Sequence, residues 1–158
     1  MTKNLKTGFT LIELLVVIAI IGLLSTIVLG SLQIARNKAA DSAIKADLAG
    51  VLRGGQAELY YSTHGDTYGS LTPAAVCPTV YVAGSASLFS DDLNIVRAIN
   101  DALSRSQNGS RCIATPTTWA VSVGLKTAGQ YWCVDSTGNT VLEITPTINQ
   151  SINGNKCA

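Results

Sequence analysis

The sequence predicts an α+β fold: a long N-terminal α-helix packed on a small antiparallel β-sheet of about three to four strands. Three observations carry this. Residues 14–35 hold no charged residue and open on a dense run of Leu, Val, Ile and Ala. Residues 40–59 then repeat apolar positions every three to four residues. Beyond residue 118 the pattern changes to strand-like apolar runs separated by turn-forming stretches.

The helix comes first. A spanning helix needs about 20 mostly apolar residues, and residues 14–35 reach that length. Gly22, Ser25, Thr26, Gly30 and Ser31 make the second half less apolar than an ordinary anchor. Ala40, Ile44, Leu48, Val51, Leu52 and Leu59 then alternate with Lys38, Asp41, Lys45, Asp47 and Arg53, the pattern of an amphipathic helix. No proline lies between Glu13 and Leu59. One helix from Phe9 to about Tyr61 follows, about 80 Å long at 1.5 Å per residue. Its weak places are Gly22 and Gly30, each costing about 0.8–1 kcal/mol of helix propensity, and Gly54-Gly55, where it can end or bend.

Residues 62–90 read as loop, with Gly65, Gly69, Pro73, Pro78 and Gly84 and a short strand near Val80–Ala83. SDDLNIVRAINDALSR predicts a short helix near 91–105, capped by Ser90 or Asp91, with Leu93, Val96, Ile99 and Leu103 on one face. SQNGS (106–110) is a loop. Trp119, Val121, Val123 and Leu125 alternate with Ala120, Ser122, Gly124 and Lys126, a half-buried strand. QYWCV (130–134), a DSTGN turn (135–139) and TVLEI (140–144) complete an antiparallel meander. The tail from Thr145 to Ala158 is polar and needs Cys157 to hold it.

Composition bounds the function. The length fits one domain, and the net charge of +1 gives no support for bulk nucleic-acid binding. Cys77, Cys112, Cys133 and Cys157 all lie beyond the apolar run. An even cysteine count in an exported small domain reads as disulfides, and four cysteines allow three pairings. A metal site is the alternative, but there is no C-x-x-C pair and His64 is the only histidine. No G-x-S-x-G elbow and no P-loop occurs. His64 reads as a surface residue, Asp135–Asn139 as a plain turn rather than a calcium loop. Tyr60-Tyr61 and Tyr131-Trp132 read as packing rather than ligand stacking. Asn108-Gly-Ser and Asn149-Gln-Ser match the glycosylation sequon. The reading is of no enzyme, no metal and no cofactor.

One residue resists a plain anchor. Glu13 stands at the mouth of the apolar run, and a carboxylate near the bilayer centre costs about 2.5–3.5 kcal/mol on insertion scales. Ahead of it, MTKNLKTG carries Lys3 and Lys6 and no acid, which predicts a cytoplasmic N-terminus. The order is wrong for a secretory signal, because no A-x-A site follows the apolar core. Gly8, then Phe9, then Thr10-Leu11-Ile12-Glu13, then the apolar run, resembles the class III signal of type IV prepilins. The motif covers about the first 25 residues. A long helix followed by a small cysteine-containing β domain resembles the pilin fold over the rest.

The resemblance implies a leader at 1–8, removed by a membrane peptidase between Gly8 and Phe9, and methylation of the new Phe9 amine. It implies a helix at 9–61, with 9–34 as membrane and filament core and 35–61 amphipathic, and a globular β domain at 62–158. Removing the leader takes Lys3 and Lys6 and leaves a side-chain net charge of −1. In that family the Glu faces the N-terminal amine of a neighbouring subunit, which here pairs Glu13 with Phe9. Two charges about 4 Å apart attract by about 4 kcal/mol at an effective dielectric of 20, and desolvation offsets much of it. The pair therefore sets register more than it stabilises. Many members have Pro where this chain has Gly30, and their helix melts upstream of it, so Gly22 and Gly30 mark a place where melting is open. Among the cysteines, pairing of sequence neighbours is favoured, Cys77 with Cys112 and Cys133 with Cys157. The second resembles the disulfide that ties the pilin tail to a strand.

The expected function is a structural subunit that polymerises into type IV pilus filaments, stored in the inner membrane and then displayed outside the cell. Its implied partners are copies of itself, the prepilin peptidase, the assembly platform and its ATPase. The alternatives are a type II secretion pseudopilin or minor competence pilin and, from another class, a membrane-anchored binding module or enzyme. Adhesion, motility and DNA uptake are not separated by the sequence.

Overall fold

The computed structural model describes residues 8–106, 108–145 and 147–158. The chain forms two compact units that divide between Arg36 and Asn37. Helix α1 (Leu11–Val51) belongs to both.

In the first unit every residue from 8 to 36 is exposed, including Leu11 at 82% and Leu29 at 67%. The helix is continuous through Gly22 and Gly30. Its hydroxyls satisfy themselves: Ser25 Oγ donates to Ile21 O at 2.7 Å, Thr26 Oγ1 to Leu23 O at 2.8 Å and Ser31 Oγ to Ile27 O at 3.2 Å. Hydroxyls bonded back to their own helix can sit in an apolar surrounding.

In the second unit α1 turns amphipathic and buries Asp41, Ile44 and Leu48. At Gly54-Gly55 the helix bends rather than ends. A π-helical turn covers Leu52–Gln56, and Gly55 takes φ +102°, which a residue without Cβ adopts freely. Helix α2 (Ala57–Thr63) follows.

The sheet has five antiparallel strands in sequential order: β1 (Leu71–Ala75), β2 (Ser110–Ala114), β3 (Trp119–Gly124), β4 (Gln130–Asp135) and β5 (Thr140–Ile144). The two beyond the predicted meander are β1 and β2. The expected strand near Val80–Ala83 does not form; the strand of that region is β1, whose Leu71 pairs with Ala114. β2 begins at Ser110, inside the expected 106–110 loop. Gln107 and Pro146 lie outside the described residues.

The predicted 91–105 helix is two helices, α3 (Leu88–Asp91) and α4 (Leu93–Ser106). Ser87 caps the first, accepting from Phe89 N. Asp92 caps the second, its Oδ1 accepting from Asn94 N at 2.9 Å and Ile95 N at 3.0 Å. The caps are therefore not Ser90 and Asp91. The break at Asp92 also sets the buried face, which is Ile95, Val96, Ala98, Ile99 and Ala102, while Leu93 is 40% exposed and Leu103 half-buried.

The sheet separates two cores. On one face Cys112, Trp119, Val121, Val123 and Val134 pack in one cluster with Ile44, Leu48, Leu52, Ile95 and Ile99. On the other, Ile113, Ala120 and Cys133 meet Ile152 of the tail. All six residues of β3 are buried as a result, where alternation alone predicts a half-buried strand. The cover is a 3₁₀ turn (Ile148–Gln150) and a hairpin of β6 (Ile152–Asn153) and β7 (Lys156–Cys157). Cys77 is bonded to Cys112 and Cys133 to Cys157.

Two buried carboxylates tie the lobe together. Asp41 on α1 accepts from Lys126 N at 2.6 Å and Thr127 Oγ1 at 2.8 Å, fixing the helix to the β3–β4 turn. Asp135 is 1% exposed. Its Oδ1 accepts from Thr137 Oγ1 at 2.6 Å, Thr137 N at 2.9 Å and Asn139 N at 3.3 Å, and its Oδ2 from Cys157 N at 3.1 Å. Burial raises the Asp135 carboxyl and these donors lower it further, leaving it below the ordinary carboxylate range.

Candidate functional site

The head of α1 is built by Thr10 and Glu13. The Thr10 carbonyl accepts the first helical bond from Leu14 N at 3.3 Å, which makes Thr10 the N-cap. Thr10 Oγ1 accepts from Glu13 N at 3.3 Å. In return Glu13 Oε2 accepts from Thr10 N at 2.8 Å and from Thr10 Oγ1 at 2.8 Å. This is a reciprocal capping box, in which a Thr and a Glu three residues on satisfy each other's backbone donors. The macrodipole of the helix also favours an acid in the first turn.

The pair answers part of what makes Glu13 odd. The carboxylate is bonded within its own chain, so it is not an unpartnered charge at the head of the apolar run. The Thr-x-x-Glu spacing before an apolar run is the sequence signature of such a box, and here it coincides with the start of the membrane-length run. Gly8 and Phe9 stand directly ahead of the box, both exposed, Phe9 at 86%. A Cβ built on Gly8, Gly22 or Gly30 meets nothing within 4 Å. α1 with its continuation to Thr63 is long and apolar enough to cross a membrane.

The other residues singled out in the sequence have local work. Asp135 closes its own turn and holds the tail. Among the described residues no group of three or more His, Cys, Asp and Glu side chains is placed to hold a metal ion. Tyr60 is buried, and Trp132 lies under Lys45 Nζ, 4.8 Å from the ring centroid. In the first sequon the Asn108 amide donates to Leu125 O and Ser110 is buried. In the second Asn149 Oδ1 accepts from Arg111 Nη1 at 2.6 Å and Ser151 is buried.

Residues 3–29 match the family model described as the prokaryotic N-terminal methylation motif. The chain carries a type IV prepilin signal. Over 82 residues it is also 40% identical to the fimbrial protein EcpC of Eikenella corrodens, a match covering 51% of this chain and 51% of that protein. The chain thus spans about half the length of the curated relative it matches. No solved structure is significantly similar to it.

Proposed function

We propose that the chain is a filament subunit of the type IV pilus kind. The observation that carries this reading is the head of α1: Gly8-Phe9 followed by a Thr10–Glu13 box and a helix whose residues stay exposed to position 36. In the inner membrane residues 9–34 are covered by lipid, as a single span. Cleavage between Gly8 and Phe9 frees an amine, which is methylated. In the filament the same residues are covered by other copies, and the lobe at 62–158 faces outward. Both bonds that the Glu13 carboxylate accepts fall on Oε2, which leaves Oε1 to receive the Phe9 amine of a neighbouring subunit. The prepilin peptidase, the assembly platform and its ATPase are the partners this requires. No cofactor enters, and α1 melts or stays whole at Gly22–Gly30 according to how neighbours pack.

The test is the mature N-terminus. Mass spectrometry of sheared surface material, imaged by electron microscopy, is expected to find filaments whose subunits begin at methylated Phe9. Filaments carrying intact MTKNLKTG, or no filaments containing this chain, overturn the proposal.

A further inference from the structure

Two asparagines of the chain precede a glycine, in Asn108-Gly109 and Asn153-Gly154. In such a pair the glycine nitrogen can attack the asparagine side-chain carbonyl carbon. No Cβ shields that nitrogen, and the glycine backbone turns freely. The fold holds the two pairs very differently.

At Asn108 the reacting groups are tied down. The side-chain amide donates to Leu125 O, and the backbone N–H donates to Ser106 Oγ at 3.0 Å. Gly109 O accepts from Gly124 N at 3.0 Å. A Cβ placed on Gly124 lies 2.7 Å from Asn108 Cβ, so the Asn108 side chain is packed against β3 and cannot swing toward Gly109 N.

At Asn153 they are loose. Gly154 and Asn155 alone join β6 to β7, and register pairs Asn153 with Lys156 and Ile152 with Cys157. Gly154 takes φ +62°, as a two-residue hairpin turn asks of a glycine at its first central position. Asn153 is exposed, and among the described residues its side chain has no hydrogen-bond partner. Gly154 N likewise donates to no carbonyl there. To bring Gly154 N onto its own Cγ, the extended Asn153 must rotate its ψ. Only the Asn153–Lys156 pair resists that rotation. The next pair, Ile152–Cys157, is anchored by the disulfide to Cys133 and does not have to open. Opening one pair at the tip of so short a hairpin is a low-energy local event.

We propose that Asn153-Gly154 is a self-modifying site, which converts Asn153 to an acid without an enzyme. Gly154 N bonds to Asn153 Cγ, the Cγ–Nδ2 bond breaks, and ammonia leaves with the proton of the glycine amide. The product is a cyclic succinimide. Water then opens the ring. Breaking the bond to Cγ gives aspartate; breaking the bond to the backbone carbonyl carbon gives isoaspartate, with Cβ now in the main chain. One water is consumed and one ammonia released, and nothing is oxidised or reduced. Either product adds a negative charge to the exposed tip of the tail. Aspartate at 153 faces Lys156 across the hairpin, a favourable cross-strand pair. Isoaspartate lengthens the main chain beside Ile152 and disturbs the register that seats it in the second core.

The test is incubation of the full chain, disulfides intact, in detergent micelles at neutral pH and physiological temperature. Peptide mapping by mass spectrometry follows both sites over time. Aspartate and isoaspartate are expected to accumulate at 153 at least about tenfold faster than at 108. In the same chain, reduced and denatured, the two rates are expected to agree within about threefold, because the fold no longer separates the pairs. Asn153→Gln must close a larger ring, and is expected to fold and to keep its tail peptide unmodified over the same period. Equal rates in the folded chain, an unchanged Asn153, a gap that persists after denaturation, or acid formed in the tail of Asn153→Gln overturns the proposal.

Discussion

Residues 8–36 leave every side chain exposed, whereas residues 37–158 bury Ile44, Leu48, Ile99, Val121, Cys133 and their neighbours on two faces of one sheet. One helix runs through both regions, so secondary structure is not what separates them. The first region closes its polar groups locally, by the Thr10–Glu13 box and by hydroxyls bonded back one turn. The second adds ties over long sequence distances, by Asp41 on Lys126 and Thr127, by Asp135 on Cys157, and by two disulfides. The polar groups named in the first region are satisfied without an outside partner, which suits the helix of the proposed filament subunit.

The largest test of that contrast is Glu13→Ala. Losing the capping box costs about 1 kcal/mol of helix stability, and removing a charge from an apolar segment eases insertion. Neither lowers the amount of protein in the membrane. In a filament, breaking one side of a buried pair costs about 3–5 kcal/mol at each subunit. Normal membrane levels are expected, with surface filaments reduced at least about tenfold, read by quantitative blotting of membrane and sheared fractions. Thr10→Ala removes the box but keeps the carboxylate, so its loss of filaments is expected to be smaller. Wild-type filaments from Glu13→Ala alone would make the first region a plain anchor.

The next test belongs to the lobe. Replacing Cys133 and Cys157 together by Ser is expected to cost about 2–4 kcal/mol by restoring freedom to the unfolded chain. Both tryptophans, Trp119 and Trp132, lie in the lobe, so their fluorescence during denaturant unfolding reports it. The Asp135 bond to Cys157 N remains, and the loss is expected to fall short of full unfolding. Helicity of residues 8–36 should not change. A loss of helix there would join what the contrast separates.

How legible each region is in the sequence follows the same division. The apolar run, the amphipathic register of Ile44, Leu48 and Leu52 and the bend at Gly54-Gly55 are local patterns and can be read as such. The strands at 119–124, 130–135 and 140–144 alternate or are bounded by turns, and they too are readable. β1 is not, because LTPAA holds a proline, and its place in the sheet depends on the partner β2. The second core is not readable either. Ala120 and Ser122 look like solvent-facing positions until the polar tail, held by the Cys133–Cys157 bond and by Asp135 accepting from Cys157 N, folds over them. At the helix head one carboxylate answers to two patterns, the capping box with Thr10 and the acid of the prepilin-like signal, and the second masks the first in the sequence.

A single type of substitution sharpens the comparison further. Gly124→Ala places a Cβ 2.7 Å from Asn108 Cβ and 2.8 Å from Asn108 O, and the Asn108 backbone is held there by its own side-chain bond to Leu125 O. Overpacking of this kind costs about 1–3 kcal/mol, expected as a lowered unfolding midpoint of the lobe. Gly22→Ala meets nothing within 4 Å and gains about 0.8–1 kcal/mol of helix propensity, expected as unchanged or higher helicity by circular dichroism. Opposite signs for the same change mark the two regions; equal signs would erase the distinction.

The smallest effect concerns Glu143, which lies on the same sheet face as Asp135 and shows the opposite electrostatics. Register places Glu143 beside Tyr131, and Tyr131 beside Gly124, on the face away from the α1 core. Glu143 is buried, and its Oε1 meets no donor among the described residues. Desolvation raises its carboxyl above the ordinary glutamate range. The folded lobe therefore binds a proton more readily than the unfolded chain does at this position, and stability falls as pH rises through the window between the two values. Asp135 works the other way: its lowered carboxyl contributes stability that is lost as pH falls through it. Glu143→Gln removes the charge and keeps the shape. It is expected to raise the unfolding midpoint slightly at neutral pH and to do nothing once acid has protonated the wild-type carboxyl. Denaturant unfolding of both proteins at neutral pH and at about pH 4 reads the difference. A gain that persists unchanged in acid, or a loss at neutral pH, would show that Glu143 is held by a partner, and that the tail-covered face is satisfied throughout as Asp135 is.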